Sequence, residues 1–269
     1  MTNLQQRVVS AIVLATVVLA LTWLGGIWFR VLAVAIGAAM LYEWLTMARA
    51  VSARANAMVA ATGLGLVGLL VLAGYPAGVT LLALAAAVAV VAGHTAIGGN
   101  RQWPAAGLGY AGLSAVSLAF LRGSDIAGLI AVLFLFAVVW ATDISAYFVG
   151  RALGGPKLAP SISPGKTQSG ALGGLAGGVV SGLLLAVAAG SSGLVWLAVV
   201  AAILSIVAQA GDLFESWVKR RHGVKDSSML IPGHGGVMDR VDGLVAAAVA
   251  LYLLGAPGGG LDMPAHGLF

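Results

Sequence analysis

GDLFESWVKRRHGVKDSSMLIPGHGGVMDRVDG, residues 211–243, is the one stretch in which charge accumulates. It holds five of the nine acidic residues of the chain and five of its fourteen Lys and Arg. Apolar sequence flanks it on both sides, so its charges sit where hydrocarbon meets water. Ionisable groups kept at that depth are costly and mark functional sites.

The rest of the chain reads as the frame for that stretch. Of 269 residues, 60% are apolar and 9% charged, against about a quarter charged in a soluble domain. The mean hydropathy is +1.02. The expectation is an all-α, polytopic integral membrane protein forming a single transmembrane domain over residues 1–269. The absence of cysteine excludes disulfides, thiolate metal sites and cysteine nucleophiles. A net charge of +5 is too small and too dispersed for nucleic-acid binding, but a basic excess at one membrane face attracts anionic lipids and phosphates.

Runs near the roughly 17 to 25 residues that cross a bilayer fall at 8–24, 27–48, 57–74, 76–97, 104–121, 126–149, 171–189, 193–214 and 237–254. The first follows the polar lead Met1 to Arg7; it is longer than a signal-peptide core and lacks a cleavage site, so it reads as a retained span. Nine spans with a cytoplasmic N-terminus assign Arg7, Arg49, Arg54, Arg101, Arg151, Lys157, Lys166, Lys219, Arg220, Arg221, Lys225 and Arg240 to the inside and only Arg30 and Arg122 to the outside, twelve of the fourteen cations against two. That asymmetry follows the positive-inside rule. It turns residues 211–243 toward the cytoplasm of a cell inner (plasma) membrane. The glycine-rich residues 255–269 are expected to be a disordered outer tail. Gly170, Gly174 and Gly178 recur at the spacing that lets helices approach closely in lipid.

Asp212, Glu215, Ser216 and Lys219 share one helical face by their i, i+3, i+4, i+7 spacing, and Asp239 and Asp242 open the next helix at i, i+3. Two helix ends thus offer carboxylates at similar depth, a pattern that suits Mg²⁺ held with substrate phosphates; interfacial ion pairing explains the spacing equally well. Between them Lys219, Arg220, Arg221, Lys225 and His234 supply donors, and Gly233, Gly235 and Gly236 let backbone approach a ligand. Asp226 lies among them. A second cluster runs from Asp143 through Tyr147, Arg151 and Lys157 to Ser163, Lys166 and Thr167. Gly165-Lys166-Thr167 is not a phosphate-binding loop, because Pro160 stands where that motif needs glycine. The active-site segments are therefore expected at about 143–170 and 212–242. Glu43 could join the same site but reads rather as an interfacial acid, His94 as a structural residue and His266 as part of the tail.

The run Ser216, Val218, Lys219, Arg220, Lys225, Asp226, Ser228, Ile231, Pro232, His234, Gly235, Gly236, Val237, Asp239, Arg240, Val241 and Asp242 resembles the signature of the phosphatidate cytidylyltransferases. Asp143, Ala146-Tyr147, Gly150-Arg151, Ile162-Ser163-Pro164 and Lys166-Thr167 resemble a second block of that family. Ser169 departs from it, standing where an acidic residue is usual, which removes any carboxylate role there. The resemblance implies synthesis of CDP-diacylglycerol from CTP and inner-leaflet phosphatidate, with Mg²⁺ and with the presence of a second cation left open, by a membrane-embedded homodimer. On that basis Asp212 and Asp239 are expected metal ligands. Lys219, Arg220, Lys225, Asp226, His234, Arg240 and Asp242 are expected in catalysis, and Asp143, Tyr147, Ser163, Lys166, Thr167 and Ser216 in substrate binding. The alternatives are another membrane phospho- or nucleotidyl-transferase acting on a lipid phosphate, or an anion transporter. A transporter commonly places its charges at the bilayer midplane between inverted repeats, whereas here they gather at one face.

Overall fold

A computed structural model describes residues 3–48, 54–98, 102–231 and 233–269. Met1, Arg49, Arg101 and Pro232 lie outside the described residues, as does the side chain of Arg7. Among the described residues nine α-helices follow in order: α1 Asn3–Leu24, α2 Gly26–Met47, α3 Arg54–Ala73, α4 Ala77–Ile97, α5 Trp103–Arg122, α6 Ile126–Leu153, α7 Gln168–Ala188, α8 Leu194–Arg221 and α9 Met238–Gly259. Among the described residues eight are long and apolar enough to cross a membrane, and α1 carries the shorter apolar run Val8–Leu24. The protein is thus an all-α polytopic membrane protein.

Helix α5 is the central element. Leu108, Val116, Leu118 and Leu121 on it are fully buried or nearly so, while α4 and α7 turn most of their surface outward, as helices facing lipid do. The helices α6 and α8, 28 residues each, run to about 42 Å at 1.5 Å per residue. That exceeds a hydrocarbon core of about 30 Å, so their ends project as helix beyond the apolar runs at 126–149 and 193–214. Glu215 and Lys219 are carried on that projecting end of α8, and Asp212 lies just inside it.

Glycine sets the two close crossings that matter. A β-carbon on Gly170 would lie 2.8 Å from the Ala146 carbonyl oxygen and one on Gly174 2.9 Å from that of Thr142, so the stripe on α7 packs directly on the α6 backbone. The α8–α9 crossing is built the same way. A β-carbon on Gly211 would lie 2.9 Å from the Asp242 carbonyl oxygen, and one on Gly243 2.9 Å from that of Ala208.

Two features differ from the sequence expectation. A short antiparallel hairpin, β1 Lys157–Ala159 and β2 Ser163–Thr167, stands between α6 and α7. Residues 255–269 are not a disordered tail: α9 continues to Gly259, and a 3₁₀ turn at Pro264–Gly267 folds back with Pro264 and Ala265 buried. Small residues permit that return, since a β-carbon on Gly255 would lie 2.1 Å from the Pro264 carbonyl oxygen and one on Gly267 2.1 Å from that of Gly255. The Tyr252 hydroxyl donates to the Leu261 carbonyl at 2.9 Å, and the Asp262 carboxylate accepts from the Ala77 amide at 2.6 Å. His266, expected as a tail residue, reaches the Asp125 carboxylate at 2.6 Å. Arg30 and Arg122, the two cations assigned outside, line one pocket with Asp125, Asp262 and His266. His94, read as structural, pairs with Asn56 at 2.6 Å.

Candidate active site

Helices α6, α7 and α8 and the hairpin enclose a cleft of about 670 Å³. Asp143, Tyr147 and Arg151 line it from α6, Lys157 from β1, Lys166 and Thr167 from β2, and Gln209 and Asp212 from α8. The walls are tied by polar contacts between helices: Thr142 donates to the Ser205 hydroxyl at 2.8 Å, and Gln209 to the Ala171 carbonyl at 3.3 Å. The Lys166 ammonium is ion-paired with Asp212. Asp143 of α6 lines the same cleft, and Asp242 at the start of α9 has its backbone carbonyl against Gly211, the neighbour of Asp212, so three helices bring carboxylates to this region. The Gly211–Gly243 crossing explains the meeting of Asp212 with Asp242, since each acid is the chain neighbour of a glycine at which the two backbones touch. At the rim Arg151 donates to the Tyr147 hydroxyl at 2.9 Å.

Beside the cleft, residues 222–231 and 233–237 lie outside α8 and α9 and are held by a second polar cluster of different character. Lys219 reaches the fully buried Glu215 at 2.6 Å and Asp239 at 2.7 Å. The other Asp239 oxygen accepts from the Ser227 amide at 3.0 Å, the Ser227 hydroxyl at 3.0 Å and the Gly236 amide at 2.8 Å. Glu43 of α2, fully buried, accepts from the hydroxyls of Ser227 and Ser228 and from the amides of Val237 and Met238 at 2.6–2.9 Å. It is not an interfacial acid extended to water. Gly236 is packed too tightly for a side chain, because a β-carbon there would lie 1.9 Å from the Ser227 hydroxyl oxygen. The left-handed backbone at Gly233 and Gly235 (φ 76° and 87°) lets Ile231 bridge back to Gly235.

The expected site residues therefore divide. Asp143, Tyr147, Lys166, Thr167 and Asp212 line the cleft, with Asp242 beside them. Thr167 also caps α7, accepting from the Gly170 amide at 3.1 Å. Ser163 lies on β2 opposite Ala159, and half-buried Ser216 on α8; neither lines the cleft. Lys219 and Asp239 belong to the loop cluster. Arg220 is exposed and donates to the Val224 carbonyl at 3.3 Å. Lys225, Asp226 and Arg240 are exposed. His234 shares a hydrogen bond of 2.9 Å with Ser10 of α1. Ser169 donates to the Gly154 carbonyl and meets the Thr167 hydroxyl at 3.1 Å, closing the base of the hairpin. Sequence reasoning did not place Gln209, Ser227 or the role of Glu43. The signal for the last was a lone acid inside an apolar span, which must find donors.

This all-α membrane bundle, with carboxylates and cations gathered at one end, has the construction of a membrane enzyme acting on phosphate esters. The cytidylyltransferase family matches residues 5–256, and the chain belongs to that family and is a nucleotidyltransferase. It is 52% identical over 264 residues to a phosphatidate cytidylyltransferase of Brucella suis, covering 98% of this chain and 97% of that one. A phosphatidate cytidylyltransferase of Bacillus subtilis is 33% identical over 94% of this chain and 98% of its own. One from Haemophilus influenzae is 46% identical over 45% of this chain and 43% of its own.

Proposed function

We propose that the protein transfers a cytidylyl group from CTP to phosphatidate, giving CDP-diacylglycerol and pyrophosphate at the cytoplasmic face of the inner membrane. The observation that carries this reading is the cleft at one end of the helices where Asp143 and the Asp212–Lys166 pair stand together. Membership of the cytidylyltransferase family and the likeness to phosphatidate cytidylyltransferases support it.

The donor set fits Mg²⁺. Asp143 and Asp212 line the cleft with Asp242 beside them, and all three offer hard oxygens, while Arg151, Lys157 and Lys166 on the same lining balance their charge. Among the described residues no three such groups form a ready-made metal cage. That agrees with Mg²⁺ taking one or two carboxylates and completing its shell with phosphates and water. Asp212, with Asp143 or Asp242, would hold it. Asp239, whose oxygens already accept from Lys219, Ser227 and Gly236, serves to fix the loop. Bound Mg²⁺ would supply charge neutralisation on the phosphates.

The chain's own residues do the rest. Lys166, Arg151 and Lys157 meet the polyphosphate in the cleft, with Lys225, Arg220 and Arg240 reaching toward it from the exposed side. A phosphatidate phosphate oxygen forms a bond to the α-phosphorus of CTP, and the bond from that phosphorus to the bridging oxygen of the β-phosphate breaks. Pyrophosphate carries away the electron pair. The attacking oxygen is already an anion, so neither a covalent enzyme intermediate nor a general base is needed. Preorganised cations facing the charge that develops lower the barrier. The excess of Lys and Arg at this end supports a cytoplasmic orientation, and the same reading carries a homodimer.

Purified protein with α-labelled CTP and phosphatidate should form labelled CDP-diacylglycerol with Mg²⁺ and lose that activity on chelation. Absence of product with phosphatidate, alongside product with a polyprenyl phosphate, would move the assignment to a different lipid phosphate.

A further inference from the structure

We propose that Glu43 is a positioning residue for the transfer: an acid on α2, outside the catalytic segments, that holds the loop and the first turn of α9 in the register that presents Asp242 to the cleft. The proposal rests on the reading above.

The geometry is specific. Glu43 accepts four hydrogen bonds, from Ser227 Oγ at 2.9 Å, Ser228 Oγ at 2.6 Å, Val237 N at 2.7 Å and Met238 N at 2.7 Å. Val237 and Met238 are the N-cap and first residue of α9, and Val237 makes no side-chain cap bond of its own. A carboxylate from another helix therefore does what an N-cap side chain does, satisfying first-turn amides that have no intrahelical partner. Its negative charge also complements the positive end of the helix dipole. Asp239 and Asp242 stand on the first two turns of that same helix, so the anchor fixes their depth and rotation.

The Ser227 hydroxyl makes the coupling tighter. It lies 2.9 Å from Glu43 and 3.0 Å from Asp239 with a single proton to give. The α2 anchor and the Asp239–Lys219 cluster thus share one group. Glu43 does not line the cleft, which is why it acts through the loop.

The test uses the detergent-solubilised full chain with saturating phosphatidate and varied CTP. Glu43→Gln keeps the size but replaces an acceptor oxygen with an amide donor facing backbone N–H groups. We expect kcat to fall by about a hundredfold, the size seen when preorganisation of one group is lost, while the KM for CTP stays within about twofold. Ser228→Ala removes one of the four donors and should cost about tenfold in kcat on the same grounds. The double variant should be no worse than Glu43→Gln, because interactions through one shared contact are non-additive. Asn56→Ala breaks the unrelated Asn56–His94 pair on α3 and α4; it should lower the melting temperature without lowering kcat.

Glu43→Gln with wild-type kcat would overturn the proposal, and so would singles whose costs multiply in the double. A fall in kcat matched by Asn56→Ala at equal loss of melting temperature would reduce Glu43 to a fold anchor and also overturn it. Where Glu43→Gln does not accumulate, Ser228→Ala decides, and turnover within about twofold of wild type refutes the idea. If wild-type protein forms no CDP-diacylglycerol, the functional reading has failed instead. Hydrogen exchange at Val237 and Met238, protected in wild type and exposed in Glu43→Gln, then still reports the anchor itself.

Discussion

The two polar clusters at this end of the bundle have similar composition and opposite states of satisfaction. In the cleft, Asp212 is paired with Lys166, Asp143 lines the same space of about 670 Å³, and Asp242 stands beside them. In the loop cluster, Glu43 and Asp239 together face seven donor protons, from Ser228, Lys219, backbone amides and the Ser227 hydroxyl that lies between them. Carboxylates whose lone pairs are already filled hold structure. Carboxylates with few fixed hydrogen-bond partners beside open space are available to a metal and a substrate. Position in the sequence does not separate the two groups, since Asp239 and Asp242 lie three residues apart and fall on different sides of the division.

The comparison is tested most severely at Asp212. Asp212→Asn keeps the size and removes the charge, so turnover should fall by about a hundredfold or more while folded yield and melting temperature stay close to wild type. Wild-type turnover in that variant would erase the distinction between open and saturated acids. Gly236→Ala attacks the other side. Its new methyl would lie 1.9 Å from the Ser227 hydroxyl oxygen and 2.7 Å from Glu43, and overpacking of this kind costs about 1–3 kcal/mol. If about 2 kcal/mol of that falls on the reacting geometry, turnover drops on the order of thirtyfold, and amides 227–238 should exchange faster.

Helix existence was legible throughout, because each apolar run is long and carries few charges, and the concentration of cations at one end was legible from the connections. The ends were less so. The runs at 126–149 and 193–214 stop where apolar residues stop, whereas α6 and α8 continue as helix to Leu153 and Arg221 because hydrogen bonding within a helix does not require lipid. The choice of Asp239 over Asp242 beside Asp212 illustrates a different limit. Spacing along each helix was available, but which acids meet across α8 and α9 depends on the crossing point. The dipeptides Gly211-Asp212 and Asp242-Gly243 fix that point, and they carried the information only in combination. Glu43 was visible as an acid in a span, yet its partners lie 184 to 195 residues away.

Lys225 sharpens the comparison from the exposed side. It stands in solvent, so it is not preorganised in the way Lys166 is, and its reach to a phosphate must be assembled on binding. Lys225→Gln is therefore expected to raise the KM for CTP about tenfold, short of the hundredfold or more typical of a fixed donor, and to leave the melting temperature unchanged. Lys225→Arg keeps the charge but changes donor geometry and should recover most of that loss. Equal values for Lys225→Gln and wild type at saturating phosphatidate would return this residue to membrane orientation alone, where each cation is worth about 1 kcal/mol.

The smallest effect is expected at the far end of α6, where Asp125 repeats the saturated pattern away from any substrate. Its carboxylate caps the helix by accepting from the Gly128 amide at 2.8 Å and meets His266 at 2.6 Å. Burial alone would raise its pKa, but the Gly128 amide, His266 and Arg122 outweigh burial and hold it below the ordinary carboxylate range. A carboxyl depressed in the folded state stabilises fully above its unfolded pKa, and that contribution fades as pH falls through the lower folded value. Asp125→Ala should therefore lower the melting temperature at neutral pH by an amount corresponding to about 1 kcal/mol for a lost cap, with the difference from wild type shrinking in acid. Discounting for the exposure of the pair keeps the His266 contribution within about 1 kcal/mol. Eighteen residues of helix put Asp125 about 27 Å from Asp143 at 1.5 Å per residue, so turnover should stay within about twofold of wild type. A large loss of turnover in Asp125→Ala, with the fold intact, would mean that the two ends of α6 are coupled and that saturation by local partners does not mark a purely structural acid.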